Sequence, residues 1–268
     1  MEARYPAVAG MFYPESREAL SSQLDLLIQP GFDKKKVLGI VSPHAGYIYS
    51  GGVAGSVYST IRIPQKVILL GPNHTGLGAR ASVMSKGSWE LPNGAVEIDS
   101  SLAETIIESS RVLRSDDTAH LREHSIEVQV PFLLHERADI EIVPITLMQL
   151  DFGLCRDVGE AVADAVIAAK SDALIVASSD MTHYESQKSA EIKDGKAIEK
   201  ILDLDPEGLL DIVINNNISM CGVIPVTIML IAAKRLGAKK ASLIKYATSG
   251  DVSGDYDQVV GYAGLTVE

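Results

Sequence analysis

The segment IVSPHAGYIYSGG, residues 40–52, opens with apolar β-branched residues, stops at a Pro-His pair and continues into alanine, glycine and tyrosine. If VLGIVS at 37–42 is a buried strand, its carboxyl end delivers an imidazole beside small residues. One histidine so placed is more often a loop or capping residue than a functional one. Two further apolar runs end in the same way: KVILLG at 66–71 leads into Pro72, Asn73, His74 and Gly76, and ALIVAS at 173–178 leads into Ser179, Asp180, Met181, Thr182 and His183. In open α/β sheets the crevice beyond the carboxyl ends of the strands is where ligands bind. Three equivalent terminations therefore predict that His44, His74, Asp180 and His183 converge on one crevice.

Working outward, further strand-length apolar runs occur at 140–147, 241–247 and 258–266, and segments of helical period or composition at 15–28, 50–60, 99–110, 123–137, 153–170, 188–202 and 223–236. Strands alternating with helices predict βαβ units and a mixed, mostly parallel sheet with helices on both faces. The stretch 81–98, with Pro-Asn-Gly at 92–94, predicts a hairpin at a sheet edge. No linker, repeat or low-complexity tract divides the chain, so residues 1–268 are expected to form a single three-layer α/β domain.

Composition narrows the function classes. Forty-six per cent hydrophobic and 22% charged residues describe a water-soluble fold, and the apolar runs fall short of the roughly 20 residues that span a bilayer. The amino terminus lacks the continuous apolar stretch of a secretory signal, so the expected location is cytoplasmic. A net charge of −11 argues against a nucleic-acid or anionic-membrane surface. The basic cluster Lys34, Lys35, Lys36 is expected to solvate a loop. The two cysteines, Cys155 and Cys221, are expected to be free thiols.

Cys221 precedes an apolar helix with Pro225 in its first turn and Gly237 at its end. A thiol there would feel the positive end of the helix dipole and lose its proton more readily, although a free cysteine is commonly just a small buried residue. Cys155 is read as such a residue. In LREHSIEVQVPFLL, residues 121–134, His124 and Glu127 are three apart and share a helical face, with Pro131 distorting or ending the helix. The pair lines the crevice, or Glu127 orients a ligating imidazole from behind, or both belong to a solvated helix face. Tyr47 and Asn73, on the loops of the first two histidines, are expected as pocket or supporting residues. His120 and His135 are expected at the surface. Two imidazoles from separate strand ends plus a thiolate suit a transition metal with open coordination positions.

The blocks RYPAVAGMFYP, SPHAGYIYSG, LLGPNHTG, EHSIEVQVPFL, SSDMTHY and CGVIPV, in that order across nearly the whole chain, resemble the Memo family, named for mediator of cell motility and known in microbes as AmmeMemoRadiSam system protein B. The resemblance implies a fold similar to class III extradiol (LigB-type) dioxygenases. It implies metal ligation by His44, His74 and Cys221, with Asp180 and His183 lining the same pocket. It also implies iron(II) or copper as the metal, and AmmeCR-type and radical-SAM proteins as partners. Dioxygenases of the similar fold use two histidines and a glutamate, so the cysteine departs from their set. The phosphotyrosine-peptide contacts described for animal members are not expected, because the chain shows no arginine-rich site.

Two functions are then in view. One is a non-haem iron oxidoreductase in which His183, oriented by Asp180, moves a proton while the substrate, a small molecule or peptide, is unidentified. The other is a non-catalytic protein that buffers copper or iron or offers its crevice to a protein or peptide. A serine hydrolase built on Ser178 or Ser179 with His183 lacks the G-x-S-x-G elbow.

Overall fold

The computed structural model describes residues 2–268. In chain order it consists of β1 (Ala3–Arg4), α1 (Arg17–Leu27), β2 (Gly39–Ser42), α2 (Tyr47–Thr60), β3 (Lys66–Pro72), β4 (Ala81–Val83), β5 (Ser88–Leu91), β6 (Gly94–Ile98), α3 (Ser100–Glu108) and β7 (Arg114–Ser115). There follow α4 (Val130–Glu136), β8 (Glu141–Leu147), α5 (Phe152–Ala169), β9 (Ala173–Ser178), β10 (His183–Glu185), α6 (Gln187–Leu202), α7 (Pro206–Asn215), α8 (Val223–Arg235), β11 (Ala241–Thr248), α9 (Gly250–Ser253) and β12 (Val259–Val267). One mixed sheet runs β1-β5-β6-β8-β3-β9-β2-β12-β10, with β11 on β12 and β4 on β8.

The centre of the sheet is parallel: β8, β3, β9 and β2 lie side by side in one direction. Alternation along the strands splits the core. Val67 and Leu69 pack with Leu20 and Leu24 of α1, Val57 and Tyr58 of α2, and Phe132 of α4. Ile68 and Leu70 face the other way, into the cluster that includes α3, α5, α6, α7 and α8. The expected three-layer α/β architecture is therefore what forms. β5 and β6 make the expected hairpin, with Leu91 opposite Gly94, and β1 adds in parallel to its outer strand.

Helix starts follow local chemistry. Asp99, Asp151, Ser186 and Asp205 each accept a hydrogen bond from a first-turn amide of α3, α5, α6 and α7. Helix α8 ends as expected, with Gly237 at φ +103°. The expected helix at 123–137 is different: residues 127–129 form a single 3₁₀ turn, and α4 starts at Val130 with Pro131 in its first turn. Proline initiates this helix instead of breaking it, because its missing N–H is one that a first turn leaves unbonded anyway.

That change frees Glu127 for another task. It is fully buried, and its carboxylate accepts from Arg4 Nη2 (2.6 Å), the amides of Ala7 (2.8 Å) and Val8 (3.1 Å), and the Tyr13 hydroxyl (2.6 Å). Arg4, also buried, donates to the carbonyls of His120 (2.7 Å) and Glu123 (2.8 Å), and its guanidinium lies 4.1 Å over the Trp89 ring. Residues 4–13 are thereby fastened to the 120–129 loop. His120 is not at the surface: it is fully buried, its ring edge-on to Trp89. Burial first, and the Arg4 charge second, pull its pKa down to about 4. His135 is half-buried, with Nε2 3.2 Å from Asp25. Lys34 and Lys36 pair with Glu136 and Asp172.

Breaking the clamp on one side leaves the Arg4 charge buried alone. Glu127→Ala is expected to lower unfolding free energy in guanidinium melts by about 3–5 kcal/mol, with the amides of residues 4–13 losing hydrogen-exchange protection first. A loss below about 1 kcal/mol, the range of an exposed pair, would refute the clamp.

His120 gives the chain an acid-sensitive element. Its folded pKa lies below the ordinary 6.5, so its contribution is intact above that pH. As pH falls from about 6.5 to 4 the unfolded imidazole binds a proton that the buried one refuses, and stability drops by roughly 3 kcal/mol at the lower end. His120→Phe is expected to flatten melting temperature against pH in this window; an unchanged slope would contradict the assignment.

Candidate metal centre

β9 lies between β3 and β2 in the sheet, so the loops after these strands leave from adjacent carboxyl ends. His44 follows β2, His74 follows β3, and Asp180 and His183 follow β9. Cys221 arrives from elsewhere in the sequence, one residue before the Gly222 that caps α8. Gly222 is a steric requirement: a Cβ there would lie 2.3 Å from the Ser178 carbonyl oxygen and 2.4 Å from Ser179 Cβ. Its amide donates to Ser179 Oγ (3.1 Å), and the Asp180 amide donates to Cys221 Sγ (3.3 Å). Close approach without a side chain thus brings the thiol to the end of β9.

The ligand atoms of His44, His74 and Cys221 all lie within 4.8 Å of one another, and His44 Nε2 is 3.2 Å from Cys221 Sγ. Hydrogen bonds fix which nitrogen each ring offers. Ser178 Oγ donates to the Ser125 carbonyl (2.6 Å), which uses its only proton, and it accepts from Gln129 Nε2 (2.9 Å). The remaining contact, 2.9 Å to His44 Nδ1, must therefore be donated by the ring. His44 carries its proton on Nδ1 and presents a bare Nε2 lone pair beside the sulfur. His74 Nδ1 donates likewise to Glu123 Oε1 (2.9 Å), while its backbone N–H donates to Glu123 Oε2 (2.6 Å). This carboxylate behind an imidazole is the usual orienting arrangement for a ligating histidine.

Burial sets the charges. His44 is held well below its ordinary pKa by burial and then by the neighbouring His74, His124 and His183, so it is neutral near pH 7. Burial pushes the Cys221 thiol up, as does the Asp180 carboxylate. The lowered thiol pKa expected from the helix dipole is not found, because burial outweighs one helix end. Burial raises Asp180 to about 6 against the bonds it accepts, among them the His44 amide at 2.8 Å. For Glu123 burial is outweighed by the His74 hydrogen bond and charge and the Ser125 amide, and its pKa falls to about 2.

The other expected residues divide. His124 belongs to the site: its ring stacks on His74 at 4.7 Å and meets His44 edge-on at 5.6 Å, with Phe12 at 4.8 Å on its far side. Together with Glu123 and His74 it forms a second set of ligand atoms within 4.8 Å. Asn73 shapes the His74 loop, its Oδ1 accepting from the amides of Thr75 and Gly76 and its Nδ2 donating to the Leu77 carbonyl. Glu127 neither lines the crevice nor orients a ligand, being spent on the amino-terminal clamp. Tyr47 is buried in the α2-side core, where its hydroxyl donates to the Val128 carbonyl (2.6 Å) and its ring packs on Phe132. Asp180 grips the His44 backbone rather than His183, whose Nδ1 is bonded to the Ser219 carbonyl (2.9 Å) and whose amide donates to Ser219 Oγ. Cys155 is buried among α5 core residues, its thiol pushed up to about 12 by burial.

Glu123, Ser178 and Gln129 support the two imidazoles without having been anticipated in that role. For Glu123 a signal existed in its place directly before His124. Gly71 also matters, since a Cβ there would meet Ile126 and Ser125 at 2.4 and 2.7 Å, and this contact draws the 123–126 loop onto the end of β3. A cavity of about 290 Å³ at the opposite, amino ends of β2, β3 and β9 includes Lys36, Arg62, Lys66, Arg137 and Asp172 in its lining. Three of its four cations are already paired, to Asp172, Asp99 and Asp139, and the chemistry-bearing cluster is not there. No helix among the described residues is long and apolar enough to cross a membrane.

The chain matches the family model described as Memo-like protein over residues 4–266. It is 44% identical over 276 aligned positions to a MEMO1 family protein of Methanopyrus kandleri, covering 98% of each chain. Identity is 45% over 269 positions to one from Aquifex aeolicus and 46% over 283 positions to one from Methanococcus maripaludis, with 99% of both chains covered in each case. Among solved structures, an uncharacterised protein of Escherichia coli K12 shares the fold with a TM-score of 0.52 at 14% identity, over 87% of this chain and all of that one. With nearly its full length matched in both family model and relatives, this chain belongs to the Memo-like protein family.

Proposed function

We propose that the protein holds one transition-metal ion through His44 Nε2, His74 Nε2 and Cys221 Sγ and uses it in oxidation–reduction chemistry on a small molecule entering the crevice. The observation that carries this reading is the assignment of protons: both imidazoles spend Nδ1 on a supporting acceptor, which leaves Nε2 bare on each, and the three side chains bring ligand atoms within 4.8 Å of one another, His44 Nε2 lying beside the sulfur. Two imidazoles and a thiol fit iron(II) or copper, and a soft thiolate suits copper(I) as well. Bound there, such a metal supplies electron transfer and an open position for a ligand.

The remaining residues have separable roles. Ser178 and Glu123 fix the ring planes of the ligating histidines. His183 donates Nδ1–H to the Ser219 carbonyl, leaving Nε2 as a proton acceptor on a half-buried ring. Asp180 holds the His44 loop by its backbone, so its part is positional. A metal-buffering protein without turnover is the competing reading, and the division between His183 and the ligands separates the two.

Anaerobically purified parent protein is expected to carry one equivalent of metal by elemental analysis, falling below about a tenth in His44→Ala, His74→Ala and Cys221→Ala. His183→Ala is expected to keep its metal while losing any metal-dependent dioxygen uptake. Full metal content in Cys221→Ala would remove the thiolate from the site. Uptake absent from the loaded parent across reductant and substrate panels would favour buffering.

Glu123→Gln retains the shape of the His74 support and removes its charge. Metal affinity is expected to fall about 10–100-fold with stoichiometry preserved at saturation, measured by competition with a chromogenic chelator. Unchanged affinity would show that Glu123 serves only the loop.

A further inference from the structure

Four tyrosines of this chain are buried. Tyr13 donates to Glu127, Tyr47 to the Val128 carbonyl and Tyr58 to Gln129 Oε1. Tyr262, 2% exposed, is the exception: among the described residues its hydroxyl has no hydrogen-bond partner, yet the oxygen is not among the polar atoms sealed from solvent. A buried phenol normally finds an acceptor within the protein.

The register shows where this donor stands. β12 runs antiparallel to β2 with Val267 opposite Gly39, Thr266 opposite Ile40 and Leu265 opposite Val41. Continuing the ladder past the end of β2 brings Tyr262 level with His44. On the other side of β12 the Met181 amide donates to the Gly261 carbonyl (2.8 Å), the Gly261 amide donates to the Thr182 carbonyl (2.9 Å), and His183 is paired with Val260. Tyr262 is therefore flanked by the loop that carries His44 and the loop that carries Asp180 and His183. Ala263 and Leu265 belong to the core on the α8 side, so Tyr262 takes the α2 face, where the first turn of α2 carries Tyr49. The groups that act on its phenol besides burial are Asp180, Tyr49 and Tyr184. Tyr184 is 74% exposed and held at φ +59° in the irregular step between His183 and Glu185, a conformation costly for a bulky residue and most often kept at ligand sites.

We propose that Tyr262 is a ligand-contacting residue of the metal crevice, its phenol O–H donating to an oxyanion or carboxylate bound next to His44. This deepens the preceding reading and rests on it. It narrows the ligand class: a group that accepts a hydrogen bond while sitting at the metal's open position, entering past Tyr49 and Tyr184.

The test uses Tyr262→Phe, which keeps the ring and its packing and deletes the donor. Parent and variant are loaded with cobalt(II), metal stoichiometry is measured, and azide, an anionic hydrogen-bond acceptor, is titrated by visible absorbance. Nitric oxide, a poor acceptor, is titrated into the iron(II)-loaded proteins by electron paramagnetic resonance. Equal metal content, azide affinity about tenfold weaker in the variant and nitric oxide affinity unchanged would support the proposal. Azide affinity equal in the two loaded proteins overturns it and leaves the metal reading standing, as does an equal fall for both probes, which marks a packing role. A parent that holds no metal at His44, His74 and Cys221 removes the metal reading and this proposal with it.

Discussion

The carboxyl end of β9 is the point to which His44 and Cys221 are both tied. Ser178 Oγ joins His44 Nδ1, Gln129 Nε2 and the Ser125 carbonyl. Ser179 Oγ receives the Gly222 amide that starts α8, and Asp180 takes the His44 amide on its carboxylate while giving its own amide to Cys221 Sγ. Three consecutive residues thus determine the position of His44, of Cys221 and of a helix terminus. They can do so because β9 is a central strand, buried on both faces and paired on both sides, and so among the least deformable parts of the molecule.

His74, the third residue of the cluster, depends on a different structure. His74 is 36% exposed and relies on Glu123, in a loop with little secondary structure of its own. That loop is held from below by Gly71's close contact and from outside by Arg4, which bonds the carbonyl of Glu123 while pairing with Glu127. The buried ion pair has its worth in this connection more than in net stability, since burying two charges costs about what their attraction returns. It couples residues 4–13 to Glu123, more than a hundred residues later, whose carboxylate orients the His74 ring.

The central architecture was readable because parallel strands buried on both faces leave continuous apolar runs, and the site was readable because three of those runs ended in polar residues of ligating type. What escaped was whatever depends on contacts between distant segments. Glu127 and His124 share a helical spacing in the sequence, but no helix forms there: Glu127 is drawn to Arg4 and Tyr13, and His124 to His74. His120 looks like a loop histidine until Trp89 and Arg4 close over it. Tyr47 is adjacent to a ligand loop yet turns into the core, because residue 47 opens α2 and its side chain points at Phe132. Cys221 was correctly placed at a helix start, but its proton affinity follows burial and Asp180, neither of which spacing reveals.

The two histidines also show why the supports differ. His44 is fully buried and already has the Asp180 carboxylate on its backbone; a second carboxylate on its ring would place two negative charges in one enclosed space, where like charges drive one of them to protonate. A hydroxyl whose single proton is committed to Ser125 imposes the same tautomer without adding charge. At His74 the Glu123 carboxylate is itself buried, but the bonds it accepts from the His74 ring and amide and from the Ser125 amide outweigh that burial, and it remains ionised, its pKa near 2. A neutral acceptor behind the His44 ring and an anionic one behind the His74 ring take the Nδ1 proton of each, and the charge already held beside His44 decides which support that ring can have.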